Sequence, residues 1–303
     1  MNIHRSSPIR AVILVFASML LPAWAAAAAR ETPPEAGQIA VATIGGRIVL
    51  VNTAGHRFAT LAGRAGVVDW APAWSPDGKW LAFARSTDGR RSFHVYVMRA
   101  DGSRVRQLTQ GRFDESPAWS PDGRWIAYAS EGGIRIVHPN GHGTRLVRGT
   151  GISGPDYSTP FGAMPSWTPR GRLSYAFHPE ISADWPATCH VARAHCGWVF
   201  AADRDGRNRS PVLRGRDAHW SADGRAIVFT PSNGGVAILT GGRRHFLGHG
   251  YLANWSPDGT RIVYARMGMT EAGDAIWIMD ATGHNRHRIL SGASDPAWRP
   301  LVG

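Results

Sequence analysis

The sequence is poor in cysteine, lysine and acidic residues. It has two cysteines, one lysine (Lys79) among 34 basic residues, and 22 acidic residues, so its formal charge is +12. Such a balance can attract nucleic acid or anionic polymers of the cell envelope. The arginines are scattered, however, and no recognition helix, zinc site or aromatic RNA-binding motif accompanies them. We therefore expect no specific binding of nucleic acid.

Long hydrophobic runs are also scarce, and the one of note lies at the N-terminus. Residues 11–21 are apolar, follow Arg5 and Arg10, and precede an alanine-rich stretch with sites for cleavage. This order is typical of a secretory signal, so we predict a signal peptide over residues 1–29 and a short linker over 30–37. An uncleaved anchor helix is the alternative. After cleavage no membrane-spanning segment is expected, and the protein is predicted to be exported, to the periplasm or the extracellular space.

The remainder of the chain is organised by a repeated phrase. Pro-Ala-Trp-Ser-Pro-Asp-Gly stands around Trp74 and Trp119, and Ala-Asn-Trp-Ser-Pro-Asp-Gly around Trp255. Diverged or truncated copies contain the other three of the six tryptophans Trp74, Trp119, Trp167, Trp220, Trp255 and Trp298. Ser-Pro-Asp-Gly favours a β-turn, because Pro presets φ and Gly relieves the last position. Repeats of this length, with strand patterns after each turn, predict propeller blades of four strands.

The two ends of the chain complement each other. Residues 39–61 supply three strand patterns without a tryptophan phrase, whereas the phrase at Trp298 lacks its three strands. We therefore predict an all-β fold, a six-bladed β-propeller over residues 38–303, closed by pairing the N-terminal strands with the C-terminal strand. Closure removes exposed sheet edges, and a monomer is expected. The repeated tryptophans are predicted to pack between blades, with sugar binding as the alternative.

The phrase resembles the repeat of the TolB-like propellers, a WD40-like group, over roughly residues 38–300. The resemblance implies a non-enzymatic scaffold that binds a protein or another component of the cell envelope. TolB has an α/β domain before its propeller, and only about ten residues separate the predicted signal from the first strand here. We expect that domain to be missing, which places a true TolB role in doubt.

Sequence motifs for catalysis are not found. The chain has no Gly-x-Ser-x-Gly nucleophile elbow and no room for a separate hydrolase domain, so no catalytic residue is assigned. The rival prediction is a sensor or a lactonase-like enzyme that binds a small ligand or Ca²⁺ in the channel, since hard cations need several oxygen ligands. We assign no metal ligands and no cofactor.

Acidic residues that stand shortly before the inner-strand tryptophans are the candidates for a binding site at the channel mouth. They are Asp69, Asp114, Glu115, Asp156, Asp217 and Asp295. Together they would form a partial ring of negative charge that contacts a partner, a small ligand or, less plausibly, a metal ion. The alternative is that they cap turns or bond neighbouring backbone. The sequence leaves both open.

One insert departs from the repeat, between Phe177 and Trp198. Its candidate specificity residues are Glu180, Asp184 and Trp185, because an irregular insertion is where a scaffold gains its own specificity; a decorative hairpin is the equal alternative. Cys189 and Cys196 also lie in it. We predict that they form a disulfide, as expected for an exported chain, with a metal cluster that includes the nearby histidines as the alternative.

Overall fold

The computed structural model describes residues 37–147, 164–177, 197–268 and 273–301, all within one compact unit. These residues form six antiparallel sheets of four strands each. The inner strand of each sheet ends in a repeat tryptophan. The inner strands are β4 (Val68–Trp74), β8 (Glu115–Trp119), β12 (Ser166–Trp167), β16 (Arg216–Trp220), β20 (Tyr251–Trp255) and β24 (Ala293–Trp298).

Each sheet continues outward through three more strands. The second strands are β5 (Trp80–Ser86), β9 (Ile126–Ser130), β13 (Leu173–Phe177), β17 (Ala226–Thr230), β21 (Arg261–Arg266) and β1 (Ile39–Thr43). The third strands are β6 (His94–Arg99), β10 (Gly133–Val137), β14 (Trp198–Ala202), β18 (Val236–Thr240), β22 (Ala275–Asp280) and β2 (Ile48–Val51). The outer strands are β7 (Arg106–Gln107), β11 (Arg145–Leu146), β15 (Ser210–Arg214), β19 (Arg243–Gly248), β23 (His287–Ser291) and β3 (Arg57–Ala62).

The predicted closure of the ring is confirmed. The C-terminal strand β24 pairs with β1, so one blade has the order β24-β1-β2-β3. Inner strands of successive blades contact each other around the whole circle, including β24 with β4. Arg299 reinforces the junction, since its guanidinium donates to Gln38 Oε1 at 2.8 Å and to the carbonyl oxygen of Gly78 at 3.0 Å. The fold is therefore a closed six-bladed β-propeller.

The hydrophobic core is divided among the interfaces between blades. Six clusters of buried side chains each join two neighbouring blades; for example, Val41 and Trp298 pack with Val263 and Ile276. Full burial of one such aliphatic side chain contributes about 1.5–3 kcal/mol. Since no blade has a core of its own, stability depends on the contacts that each blade makes with its neighbours.

The Ser-Pro-Asp-Gly turns follow one hydrogen-bonding scheme. In the first copy the Gly78 amide donates to the Ser75 carbonyl at 2.8 Å, and the Ser75 hydroxyl donates to Asp77 at 2.6 Å. The Asp77 carboxylate also accepts from the Lys79 amide. The same bonds recur in the copies that contain Asp122, Asp223 and Asp258. These four aspartates therefore hold the turns between the inner and second strands.

Candidate binding site along the propeller axis

The inner strands enclose an axial cavity of about 360 Å³. Its walls are mainly alanine, proline and tryptophan from all six blades, with few polar side chains, namely Ser116, Ser166, His219, Asn254 and Asp295. At one end stand the prolines that follow the tryptophans, such as Pro76 and Pro121; we call this end the tryptophan mouth. The opposite end, where the inner strands begin, is called the acid mouth; of the predicted acids, Asp69, Asp114, Glu115, Asp217 and Asp295 lie in or just before these beginnings.

A bulge shapes five of the inner strands, β4, β8, β16, β20 and β24. Three residues before the tryptophan the backbone adopts a left-handed conformation, with φ between 47° and 51°, at Ala71, Ser116, Asp217, Leu252 and Asp295. At this point the pairing of each strand with its neighbour shifts register. A bulge redirects side chains, and Asp tolerates this conformation better than most residues. The bulge therefore determines how the acids of this region are placed.

Two of the predicted acids form local contacts within their own blade. Asp69 is fully buried and accepts two hydrogen bonds from Arg85, at 2.6 and 2.9 Å. Asp114 is buried and accepts from the Gly111 amide and the Ser130 hydroxyl, each at 2.7 Å. Both carboxylates are satisfied inside the scaffold, so neither is available to a ligand without breaking these bonds.

Three other acids come together at the acid mouth. Burial raises the pKa of Glu115 to about 7, and the charge of Asp295 contributes to the shift. Burial also raises the pKa of Asp295, as do the neighbouring charges of Asp217 and Asp274. Glu115, Asp217 and Asp295 stand on β8, β16 and β24, which are alternate inner strands around the ring. The ring thus combines acids that lie far apart in the sequence.

The three acids differ in their partners. Asp217 is buried, which raises its pKa, and Arg216 lies 3.6 Å away and opposes the shift. Asp295 accepts a hydrogen bond from Ser294 at 2.5 Å. Glu115 is 7% exposed, and its carboxyl forms no hydrogen bond or ion pair with a described residue. Its oxygens are not among the fully enclosed polar atoms that lack a partner, so they still reach solvent, which makes Glu115 the strongest candidate for contact with a ligand.

A histidine that the sequence reasoning did not single out lines the same cavity. His219 precedes Trp220, and burial lowers its pKa to about 4, so the ring is neutral at pH 7. A comparison of the repeats could have revealed His219, because the other blades have alanine, serine or asparagine directly before the tryptophan. Among the described residues, no three of His, Cys, Asp and Glu are grouped so that they can hold a metal ion.

Several predicted residues cannot be placed. Asp156, the insert residues Glu180, Asp184 and Trp185, and the cysteines Cys189 and Cys196 lie outside the described residues, as does the predicted signal peptide. In the part of the chain that is described, no helix has the length and apolar character needed to cross a membrane. The repeat tryptophans all face neighbouring blades; the indoles of Trp74, Trp167 and Trp255 donate to backbone carbonyls of the preceding blade.

Known proteins share this geometry. Residues 39–178 match the model of the TolB beta propeller domain. TolB from Acinetobacter baumannii superposes with a TM-score of 0.68 at 20% identity, covering 88% of this chain and 67% of that one. A putative TolB from Agrobacterium tumefaciens gives 0.61 at 17% identity, covering 85% and 90%. The fold is therefore that of a six-bladed propeller, and over residues 39–178 the chain is similar to the TolB beta propeller domain.

Other similar structures have different roles. A chain of a nidogen/laminin complex superposes with a TM-score of 0.64 at 13% identity, covering 88% of this chain and 98% of that one. Enzymes also share the fold, among them an oligogalacturonate lyase in complex with manganese. No curated protein matches the chain in sequence. At these identities the likeness defines the fold, and the function has to be argued from the site.

Proposed function

We propose that this chain is an exported, non-enzymatic scaffold that binds a protein or another component of the cell envelope at the mouths of its axial channel. The observation that carries the proposal is Glu115, a buried carboxyl without a described partner at a mouth shared by three acids. A basic group of a partner would give this carboxyl the counter-charge that the scaffold does not supply. The acidic character of this mouth thus fits a partner segment that inserts a lysine or arginine side chain.

The composition of the cavity supports binding over catalysis. Its walls are mostly alanine, proline and tryptophan, which present apolar area and few reactive groups. His219 stays neutral, and its low pKa makes it a poor acceptor of protons at pH 7. The nidogen/laminin structure is an example of a similar propeller found in a protein complex. Export rests on the N-terminal pattern of residues 1–29 and is tested by sequencing the mature N-terminus.

Site-specific photo-crosslinking in the native host tests the partner and the face together. A photoreactive amino acid is placed at Pro121 beside the tryptophan mouth, at Arg112 in the loop before β8, or at the exposed Thr60 of β3 as the control. We expect one discrete adduct from one mouth position and none from Thr60. The purified partner should then lose affinity for the Glu115→Gln variant. Equal adducts from all three positions would contradict a specific channel site.

A second candidate is a small cationic ligand or Ca²⁺ at the acid mouth, favoured by the electrostatic influence of Asp295 on Glu115 and of Asp217 on Asp295. A ligand that binds only the folded state raises the melting temperature. A thermal-shift scan with Ca²⁺ and with EDTA decides between the candidates. A calcium-dependent rise that is lost in Glu115→Gln, Asp295→Asn would favour the ion site; no shift would leave the protein-binding scaffold as the better proposal.

A further inference from the structure

Some of the arginines that look scattered in the sequence lie together on the outer strands of the blades. The six outer strands contain seven exposed arginines and no acidic residue. We call these residues the basic rim: Arg57, Arg106, Arg145, Arg214, Arg243, Arg244 and Arg288. Two histidines, His245 and His287, lie among them. Every blade contributes at least one arginine, so the positive charge continues around the ring.

The turn aspartates do not neutralise the rim, because they are bound within their own turns. Hydrogen bonds from the Arg225 amide and the Ser221 hydroxyl lower the pKa of Asp223, and the other turn aspartates are bound in the same way. Within the described ranges, six rim arginines have no carboxylate within ion-pair distance: Arg57, Arg106, Arg145, Arg243, Arg244 and Arg288. The rim is therefore a surface of one sign.

Aromatic rings hold part of the rim in place. The guanidinium of Arg145 lies 4.9 Å from the centroid of the Trp125 ring, and that of Arg214 lies 5.0 Å from that of Trp198. Arg244 stacks on Phe229 and also donates to the Arg214 carbonyl oxygen of the preceding blade, at 3.5 Å. A stacked guanidinium keeps its charge and loses less conformational entropy when it binds an anion.

We infer that the basic rim binds a flexible linear polymer of phosphate groups. Guanidinium groups pair bidentately with phosphate oxygens, and an array of positive charges attracts a polyanion through release of counterions. The rim is convex, so a flat lipid surface would touch only a part of it at once, whereas a flexible chain can follow several blades. Bases would need exposed aromatic platforms, and Phe246 is the one strongly exposed aromatic on the described surface.

The inference goes beyond the proposed function, because it concerns the outer strands and not the channel. Charged edge strands also prevent sheets from pairing edge to edge, and that role alone would require no ligand. The two roles can be separated, because protection of the edge does not predict affinity for phosphate polymers or any dependence of that affinity on particular arginines.

The test measures binding of labelled inorganic polyphosphate to the whole chain by fluorescence anisotropy at several salt concentrations. The rim variant is Arg243→Gln, Arg244→Gln, Arg288→Gln. The matched control removes the same charge from exposed turn positions, with Arg124→Gln, Arg170→Gln, Arg225→Gln. A third variant replaces the three rim arginines by lysine and keeps the charge. Melting temperatures verify that all variants are folded.

We expect the rim variant to bind polyphosphate at least tenfold more weakly, with a salt dependence shallower by about two in log–log slope, because about three ion contacts are lost. The control should change affinity less than threefold, and the lysine variant should keep most of it. Equal loss in rim and control variants would overturn the inference, since net charge alone would then explain binding. Stronger binding of anionic vesicles or of oligothymidine than of polyphosphate would also overturn it.

Discussion

Arg85 on β5 donates two parallel hydrogen bonds to the carboxylate of Asp69 on β4, from Nε at 2.6 Å and from Nη2 at 2.9 Å. Asp69 is fully buried, and Arg85 also stacks on Phe83 and Tyr96 at 5.1 Å from each ring centroid. The pair joins the inner strand to its neighbour near the acid mouth. It shows how an acid that sequence reasoning assigns to a binding site becomes part of the scaffold.

Removing one member of this pair should destabilise the fold strongly. Asp69→Ala leaves the Arg85 charge without its partner in a largely buried position, and we expect a loss of about 3–5 kcal/mol in the free energy of unfolding. The double variant Asp69→Ala, Arg85→Ala should lose clearly less than the sum of the single changes. Urea unfolding measures all three. The exposed pair Arg204–Asp122, at 3.7 Å, is the control and should show a coupling below about 1 kcal/mol.

Glu115 should make stability depend on pH. Its pKa of about 7 in the folded state lies above the usual value of 4.5, so the folded protein keeps a proton that the unfolded chain loses between these values. The stabilisation is present below pH 4.5 and lost as pH rises through 7, by roughly 3 kcal/mol in total. Urea unfolding at pH 5 and pH 8 should show this loss in the wild type, relative to Glu115→Gln.

His219 acts in the opposite direction, since its pKa falls from 6.5 to about 4 and stability is lost as pH drops through that interval. The comparison with Glu115→Gln at each pH cancels this contribution, because both proteins contain His219. Identical pH profiles for wild type and variant would show that Glu115 is ionised like an ordinary surface carboxyl. The channel-mouth proposal would then lose its main support.

A substitution in the diverged turn after Trp167 should stabilise the protein. Its phrase is Thr168-Pro169-Arg170-Gly171, so the aspartate that accepts two hydrogen bonds in four other turns is replaced by an exposed arginine. Arg170→Asp should therefore raise the free energy of unfolding by about 1 kcal/mol. Thermal and urea unfolding measure the gain. Arg170→Ala is the control, and an equal gain there would attribute the effect to loss of positive charge.

The closure of the ring should depend on Arg299. This side chain is 8% exposed, bonds Gln38 and Gly78, and stacks on Trp74 at 5.0 Å. Arg299→Ala should cost about 3 kcal/mol, because buried carbonyl and amide oxygens lose a charged donor. Hydrogen exchange should increase first in β1 and β24. Uniform exchange across all blades would contradict a local role at the junction.

The repeated phrase in the sequence was enough to predict most of the fold. Pro, Asp and Gly determine the turns through local backbone preferences, and the alternating apolar residues after them predict the strands. The incomplete patterns at the two ends predicted the β24–β1 pairing, since an unpaired edge strand is unfavourable. These features are local or periodic, which is why they can be derived without coordinates.

The sequence by itself therefore determined the blade count, the turns, the closure and the tryptophans between blades. The tertiary structure decided which acids form a site: the bulges set the direction of Asp217 and Asp295, and the ring brings Glu115 near Asp295 from a distant repeat. It also placed seven exposed arginines on the outer strands. Side-chain direction and distance across the ring arise from packing between blades, and one repeat read by itself does not contain that information.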